Sequence, residues 1–245
     1  MQAVYLKLIE GLRDYFGLYG FKKAVLGLSG GIDSALTLKL VADALKPQNV
    51  TAIHMPELGL TSRVNSEHAE GLAKFLGVNY LKIPINRYLD TYGSLPWDRS
   101  DLSLINVKAR VRATILYDFA NSNQVLVVGT SNKSELMLGY GTKFGDLAAD
   151  LEAIGDLYKT EVYKLAKFLG LPEEILVKPP SAELFLGQTD ELELGASYEL
   201  IDQILMAKQK NYNLDHFDQI LVRRVENLIK QNKHKNEMPF LVKAS

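Results

Sequence analysis

The chain has 245 residues, 47 % of them hydrophobic, which is enough to bury one good-sized core. Its 28 Lys and Arg residues and 29 Asp and Glu residues give a formal net charge of −1, so it lacks the positive field that nucleic acids and anionic membrane surfaces favour. It contains no cysteine, which excludes disulfides, thiolate metal sites, thiol nucleophiles and Fe–S clusters.

The first 20 residues predict an N-terminal amphipathic helix, because Val4, Leu8, Leu12 and Phe16 recur at helical spacing. Charged residues interrupt this stretch, which argues against a signal peptide. No apolar run in the chain approaches the roughly 18 to 20 residues of a membrane span. We therefore expect a cytoplasmic protein.

Three short apolar runs rich in β-branched residues predict buried parallel strands: AVLGL at 24–28, VTAIHM at 50–55 and QVLVVGT at 124–130. A fourth run, NYLKIPI at 79–85, contains Pro84, which favours an edge position or a strand end. Helical patterns lie between the strands, at 32–46, 63–77 and about 103–120.

This alternating order predicts an α/β fold: a single domain, 1–245, with a doubly wound parallel sheet flanked by helices. Strand signals fade after residue 131, where helices are predicted at 156–170 and 198–210, and residues 230–245 predict a mobile polar C-terminal tail. Ligands bind such sheets at the carboxyl ends of the strands, where Ser29 and Thr130 lie.

The segment SGGIDS, residues 29–34, joins the first strand to the next helix and predicts an anion-binding loop. Glycines let backbone N–H groups approach a phosphate, and the first helical turn adds a partial positive charge. An acid beside a phosphate needs an intervening cation, so Asp33 is interpreted as a Mg²⁺ ligand shared with phosphate oxygens. The alternative is a tight turn at Gly30 and Gly31 followed by ordinary first-turn residues.

The same hexapeptide resembles the pyrophosphate loop of ATP pyrophosphatases, which cleave ATP between the α and β phosphates. Further segments are similar to the NAD synthetase family, which amidates deamido-NAD: NVKARVRATILYDFAN at 106–121, VVGTSNKSELMLGYGTKFGD at 127–146, IGDLYKTEV at 154–162 and KPPSAELFLGQTDELELGASY at 178–198. The resemblance covers about residues 20 to 235. It implies an adenine nucleotide alpha hydrolase-like fold, Mg²⁺ as cofactor, ATP as co-substrate, and a homodimer.

The resemblance also implies roles for the residues that coincide with family motifs. The positions that match ATP contacts are Gly27, Leu28, Ser29, Gly30, Gly31, Ile32, Asp33, Ser34, Thr130, Lys159 and Ser181. Those that match deamido-NAD contacts are Arg110, Lys143, Asp150, His234 and Lys235. Asp33 and Glu135 match metal ligands, and Lys159 and Asp146 match catalytic positions, Asp146 near the incoming ammonia.

The residues by themselves leave alternatives open. Arg110 shares a helix face with Asn106, and its planar guanidinium can bind a phosphate or a carboxylate through two hydrogen bonds. Arg112 is expected to point elsewhere. The alternative is a solvated helix with two surface arginines. Glu135 follows Thr130 closely and could face the same cation as Asp33. Lys133, Lys143 and Lys159 could each be ordinary surface residues.

The implied reaction activates a carboxylate as an acyl-adenylate, releases pyrophosphate, and then displaces AMP with ammonia. Longer relatives carry a glutamine-hydrolysing domain with a cysteine nucleophile, so this chain is expected to use free ammonia. Two alternatives are another pyrophosphate-loop enzyme, such as a tRNA-thiolating or GMP-forming relative, and a nucleotide-binding regulatory protein without turnover. The missing cysteines argue against thiolation, and the paired acids argue against regulation alone. No nucleic-acid or membrane partner is expected.

Overall fold

The computed structural model describes residues 1–178 and 189–244. Within them a five-stranded parallel sheet forms in the order β3-β2-β1-β4-β5. The strands are β1 Ala24–Gly27, β2 Val50–His54, β3 Asn79–Lys82, β4 Leu126–Gly129 and β5 Leu151–Glu152. The chain builds outward from β1 on one side and then crosses to β4 on the other, which makes the sheet doubly wound.

The helices are α1 Gln2–Leu18, α2 Ile32–Leu45, α3 Arg63–Leu76, α4 Asn86–Asp90, α5 Asp101–Asn123, α6 Lys133–Leu138, α7 Lys159–Phe168, α8 Glu173–Leu176, α9 Asp190–Leu194, α10 Tyr198–Gln209 and α11 Gln219–Asn232. Short 3-10 turns occupy Pro47–Asn49, Thr91–Ser94 and Lys233–Lys235. Throughout residues 1–178 and 189–244, no helix combines the length and apolar composition that crossing a bilayer requires.

Alternate residues of β1 supply the two faces of the sheet. Leu26 packs in a cluster with Phe16 of α1 and Leu165 of α7, whereas Val25 packs in a second cluster with Val111 of α5. Both β1 side chains are fully buried. A central parallel strand covered by helices on both faces requires apolar residues at successive positions, which explains the unbroken apolar run in the sequence.

A third apolar cluster lies beside the sheet, where α6, α10 and α11 meet. Leu138, Tyr198, Leu205 and Val222 are among its buried members. Through this cluster α10 and α11 pack against α6, the helix that follows β4.

The structure confirms the doubly wound sheet, with β3 at an edge as Pro84 indicated. Strand β5 and helix α11 are among the elements that the sequence analysis did not predict. Strand β5 has two residues and is defined by its pairing with β4. Helix α11 extends to Asn232, so the polar tail predicted from residue 230 begins too early, because Val222 and Val225 of α11 bury themselves in the third cluster.

Candidate active site

A glycine loop turns the chain from β1 into α2 at the carboxyl edge of the sheet. Gly30 has a φ of +86°, and a Cβ at this position would lie 2.6 Å from the carbonyl oxygen of Asn65 on α3. Only glycine fits this combination of left-handed backbone and close approach. The Gly31 N–H donates to Ser29 Oγ at 3.1 Å, and Ser34 Oγ donates to the Gly31 carbonyl at 3.0 Å. The serines therefore hold the loop around the start of α2.

Three charged side chains meet beside this loop. Lys159 Nζ lies 2.5 Å from Asp33 Oδ2 and 3.5 Å from Glu135 Oε1, and only 1 % of Lys159 is exposed. Burial by itself lowers the pKa of Lys159, but the attraction of Asp33 and Glu135 outweighs it and leaves that pKa above its ordinary value. Lys159 is therefore a buried, charged ammonium beside the glycine loop.

The environment of Glu135 works against its charge. Burial and repulsion by Asp33 raise the pKa of Glu135 to about 8, although Lys159 and the Asn132 N–H favour the carboxylate. Near neutral pH Glu135 therefore retains a proton more readily than an ordinary glutamate does.

Asn132 aligns the two acids, and sequence reasoning missed it. Its side-chain oxygen accepts a hydrogen bond from the Glu135 N–H at 3.0 Å, and its Nδ2 donates to Asp33 Oδ1 at 2.9 Å. Glu135 Oε2 accepts from the Asn132 N–H at 3.1 Å, which completes a capping box at the start of α6. The spacing NKSE was the available signal, since an Asn three residues before a Glu is typical of a helix start.

A cavity of about 740 Å³ opens from this charged cluster. One wall is α5, where Ile105, Ala109 and Leu116 line it, together with Met55 after β2. Arg112 lies in the same wall and donates through Nε to the Met55 carbonyl at 3.0 Å. Arg110 instead donates through Nε to the Lys143 carbonyl at 3.4 Å, so the two arginines point to different partners, as expected, while both line the cavity.

The opposite wall is built from the loop after α6 and from the residues that follow α11. Lys235 Nζ donates to the carbonyls of Gly139 at 2.9 Å and Gly141 at 3.0 Å. In the reverse direction, Lys143 Nζ donates to the carbonyl of His234. The two segments are thus joined by lysines from both sides, and all five residues line the cavity.

Asp146 lies in the same wall, where its Oδ1 accepts a hydrogen bond from the Thr142 N–H at 2.9 Å. Burial raises the pKa of Asp146, and the Thr142 N–H and the charge of Lys235 only partly offset this effect. Lys235 shows the complementary effect: burial lowers its pKa, against the influence of Asp146.

Comparison with known proteins identifies the family of this chain. The chain matches the family model described as NAD synthase over residues 4–239. The chain belongs to the NAD synthase family. It is 42 % identical over 244 residues to an NH(3)-dependent NAD(+) synthetase from Chlorobaculum tepidum, covering 97 % of this chain and 88 % of that protein. It is 48 % identical over 209 residues to one from Methanococcus aeolicus, covering 84 % and 82 %.

Solved NAD synthase structures share the fold. The NH3-dependent NAD synthetase from Campylobacter jejuni, in complex with nitrate, has a TM-score of 0.86 at 36 % identity and covers 99 % of this chain and 98 % of its own. NMN synthetase from Francisella tularensis has a TM-score of 0.90 at 31 % identity, with 98 % of each chain covered. A glutamine-dependent NAD+ synthetase from Acinetobacter baumannii has a TM-score of 0.70 at 30 % identity and matches 98 % of this chain but 46 % of its own.

Most residues predicted from the family motifs line the one cavity. They are Gly27, Leu28, Ser29, Gly31, Ile32, Asp33, Ser34, Arg110, Thr130, Glu135, Lys143, Asp146, Lys159, His234 and Lys235. Gly30 shapes the turn between two lining residues, and Ser181 lies outside the described residues. The NAD synthase motifs, though far apart in sequence, therefore converge on one place.

Asp150 is elsewhere: it is not among the residues that line this cavity. Its Oδ2 accepts from the Val127 N–H at 2.7 Å, and its Oδ1 accepts from the Tyr117 hydroxyl at 3.4 Å. The Tyr15 hydroxyl donates to the Asp150 carbonyl at 2.6 Å. Asp150, the residue directly before β5, is thus hydrogen-bonded to β4, α5 and α1. Its role toward substrate stays a prediction.

Glu152 on β5 is a partly buried acid that sequence reasoning did not identify. Its Oε2 accepts from the Ser131 N–H at 3.0 Å, and a Cβ on Gly129 would lie 2.3 Å from this oxygen. Burial raises the pKa of Glu152 to about 7. A side chain at position 129 would therefore require the Glu152 carboxyl group to move.

The pair Asp33 and Glu135 fits the magnesium ion that the family resemblance implies. Both carboxylates already contact the same ammonium, that of Lys159. Mg²⁺ in nucleotide sites is usually held by one or two carboxylates, with phosphate oxygens and waters completing an octahedron. Among the described residues, no group of three or more His, Cys, Asp or Glu side chains is arranged to bind a metal ion. A magnesium ion at this site would therefore be bound by the two carboxylates together with phosphate oxygens.

Proposed function

We propose that this chain catalyses the ATP-dependent amidation of deamido-NAD to NAD with free ammonia, releasing AMP and pyrophosphate. The observation that carries the proposal is the buried Lys159 ammonium, held by Asp33 and Glu135 beside the glycine loop in a member of the NAD synthase family. Alone, the loop offers only backbone N–H groups and a helix dipole worth about 0.3 to 1 kcal/mol per anion. A triphosphate requires the charged cluster as well.

The loop and Lys159 would bind the β and γ phosphates, which leave as pyrophosphate. The first N–H groups of α2 have no partners within the helix and are available to phosphate oxygens. Lys159 would neutralise the charge that develops on pyrophosphate, without reorganising, because it is already fixed by two carboxylates. Mg²⁺, held by Asp33 and Glu135, would supply further charge neutralisation when bound.

A carboxylate must be activated before ammonia can replace its oxygen. A nicotinate carboxylate oxygen would attack the α phosphorus of ATP, the bond from that phosphorus to the bridging oxygen would break, and pyrophosphate would leave with the electron pair. The resulting acyl-adenylate would accept ammonia at its carbonyl carbon and release AMP. Asp146, whose pKa is raised by burial, would lie beside the incoming ammonia and accept a proton.

The dinucleotide substrate would occupy the side of the cavity opposite the loop. Arg110, Lys143, His234 and Lys235 line that side and provide charged or hydrogen-bonding groups for its phosphates and carboxylate. Lys143 and Lys235 would exchange their backbone carbonyl partners for substrate oxygens. Asp150 is kept as a substrate residue on the family match alone.

We further propose a homodimer that acts in the cytoplasm, where its co-substrate ATP is abundant. Large apolar side chains are exposed around the start of α5: Trp97 at 59 %, Leu102 at 66 % and Leu104 at 39 %. Apolar surface of this kind is typical of an interface between subunits. Light scattering with gel filtration would distinguish a dimer from a monomer.

The central experiment incubates the purified chain with ATP, Mg²⁺, deamido-NAD and ammonium and measures NAD and AMP. NAD formation that depends on all four supports the proposal. AMP release without deamido-NAD would instead indicate another pyrophosphate-loop reaction, and ATP binding without AMP release would indicate a regulatory protein. Glutamine should not replace ammonium, because the chain has no cysteine to hydrolyse it.

A second candidate is amidation of a mononucleotide. The high structural similarity to an NMN synthetase favours including it, since the activation chemistry is the same and only the adenylate half of the substrate differs. The two candidates are separated by comparing kcat/KM for deamido-NAD and for nicotinic acid mononucleotide. We expect at least a tenfold preference for the dinucleotide; a preference for the mononucleotide would replace the first proposal.

A further inference from the structure

Two buried polar residues lie behind Lys159, outside the cavity lining. Ser134 is the second residue of α6, directly before Glu135, and is 0 % exposed. Asp202 lies on α10 and is 1 % exposed. Neither residue is assigned a role above, although Ser134 lies within the family segment at 127–146, and both contact the start of α7, the helix that Lys159 opens.

Their hydrogen bonds join three helices. Ser134 Oγ donates to Asp202 Oδ1 at 2.5 Å and accepts from the Lys159 N–H at 2.9 Å. Asp202 Oδ2 accepts from the Thr160 N–H at 2.9 Å. The serine hydroxyl has a single hydrogen, so its donation to Asp202 leaves its lone pairs for Lys159. Two N–H groups that α7 cannot satisfy internally are thus bonded to fixed partners.

Burying an aspartate at position 202 costs free energy, because its carboxylate loses its contact with water. Its neighbours on α10, Ile201 and Leu205, are fully buried in the third apolar cluster. A carboxylate in such surroundings is retained only where its hydrogen bonds compensate the loss of water. Here those bonds go to the starts of α6 and α7, which carry Glu135 and Lys159.

We propose that Asp202, acting through Ser134 and Thr160, is a positioning residue for the amidation reaction. It fixes the backbone of Lys159, and so determines where the ammonium meets Asp33 and Glu135. This inference rests on the proposed function for its kinetic consequences, but its structural consequence, the protection of Lys159, is independent of that function.

Replacing Asp202 with asparagine keeps the shape and breaks the pattern of donors and acceptors. If the amide nitrogen faces Ser134, it donates to Ser134 Oγ, and the hydroxyl hydrogen loses the acceptor that Asp202 provided. If it faces Thr160, two N–H donors oppose each other. Either arrangement displaces the first turn of α7.

The test compares Asp202→Asn, Ser134→Ala and the double variant with wild type. The control is Asp218→Asn, which removes a helix-capping carboxylate that accepts from the Ile220 N–H at 2.7 Å at the far end of α11. NAD formation gives kcat and the KM values for ATP and deamido-NAD. Labelling with an amine-reactive acetylating reagent reports on Lys159, because digestion after glutamate releases residues 153–161, in which Lys159 is the one lysine.

We expect Asp202→Asn to lower kcat by about 10- to 100-fold, as supporting residues around a site typically do, with both KM values within about threefold of wild type. Lys159 should be labelled at least tenfold faster. The double variant should match the worse single variant, because both residues act through one path. Asp218→Asn should leave kcat and labelling unchanged.

A kcat of Asp202→Asn within twofold of wild type, with Lys159 still protected, would overturn the proposal even if the melting temperature falls. If wild type makes no NAD, the proposed function fails and the labelling rates alone decide the inference. If Asp202→Asn does not fold, Ser134→Ala decides it by the same two measurements, because it removes the link to Lys159 and leaves Asp202 bonded to Thr160.

Discussion

Replacing Lys159 with methionine removes the ammonium at the centre of the site while keeping most of the side chain's length. Asp33 and Glu135 then face each other without their shared cation. Removing one partner of a buried ion pair typically costs about 3 to 5 kcal/mol of stability. Glu135 already has a pKa of about 8 and can take up a proton, so we expect a loss near the lower limit, about 3 kcal/mol.

The catalytic effect should be at least as large. A preorganised donor to developing charge contributes about 2.7 to 4 kcal/mol, which corresponds to about 10²- to 10³-fold in kcat. The assay is NAD formation at saturating ATP and deamido-NAD, at a temperature where urea denaturation shows both proteins folded. KM for deamido-NAD should change little, because Lys159 lies on the ATP side of the cavity.

Lys133→Met is the matched control for this prediction. Lys133 also opens a helix and also forms an ion pair, 2.8 Å from Asp156, but the Asp156 side chain is 89 % exposed. Surface pairs contribute about 0 to 1 kcal/mol, so both stability and kcat should stay close to wild type. A kcat for Lys159→Met within threefold of wild type, or equal stability losses in the two variants, would refute the reasoning.

Three further outcomes follow from the structure. Gly30→Ala should destabilise the fold by about 1 to 3 kcal/mol and weaken ATP binding, because φ is +86° and the new Cβ would lie 2.6 Å from the Asn65 carbonyl oxygen. The control is Gly11→Ala, where a new Cβ meets open space. Equal urea midpoints for the two variants would contradict this account. The pKa of Glu152 is about 7 in the folded protein and 4.5 in the unfolded chain. Its contribution to the free energy of unfolding is therefore complete below pH 4.5 and is lost as the pH rises to about 7, a loss of about 3 kcal/mol. Glu152→Gln should therefore reduce the fall in unfolding free energy between pH 5 and pH 8, and an unchanged fall would argue against a buried neutral acid. Lys235→Met should raise KM for deamido-NAD by about 10- to 100-fold, because a hydrogen bond from a charged group is lost. Lys230→Met, on the exposed side of α11, should leave this KM unchanged. Equal KM values in the two variants would show that Lys235 is not part of the substrate site.

Local patterns in the sequence were sufficient for much of the fold. Strands β1, β2 and β4 were predictable because a parallel strand buried on both faces needs a continuous apolar run. The glycine loop was predictable because a left-handed residue at a strand-to-helix turn requires glycine. These requirements act within a few residues, so they are visible in a single stretch of sequence.

Tertiary contacts decided the remaining elements. Strand β5 has two residues, too few to show a period, and it is defined by its pairing with β4. The C-terminal residues contact the cavity because α11 buries one face against α6 and α10, which carries Lys235 to the carbonyls of Gly139 and Gly141. Asp150 matched a family motif, but only the tertiary structure showed that its carboxylate accepts a hydrogen bond from the Val127 N–H of β4.

The chemistry of the site shows the same division. The sequence determined which charges are available, since Asp33, Glu135 and Lys159 each lie in a recognisable motif. Only the tertiary structure decided that they touch: Asp33 is separated from Asn132 by 99 positions and from Lys159 by 126, and no local propensity acts over such distances. The parallel sheet brings the ends of β1 and β4 to one edge, and burial there raises the pKa of Glu135 while the two acids keep Lys159 charged.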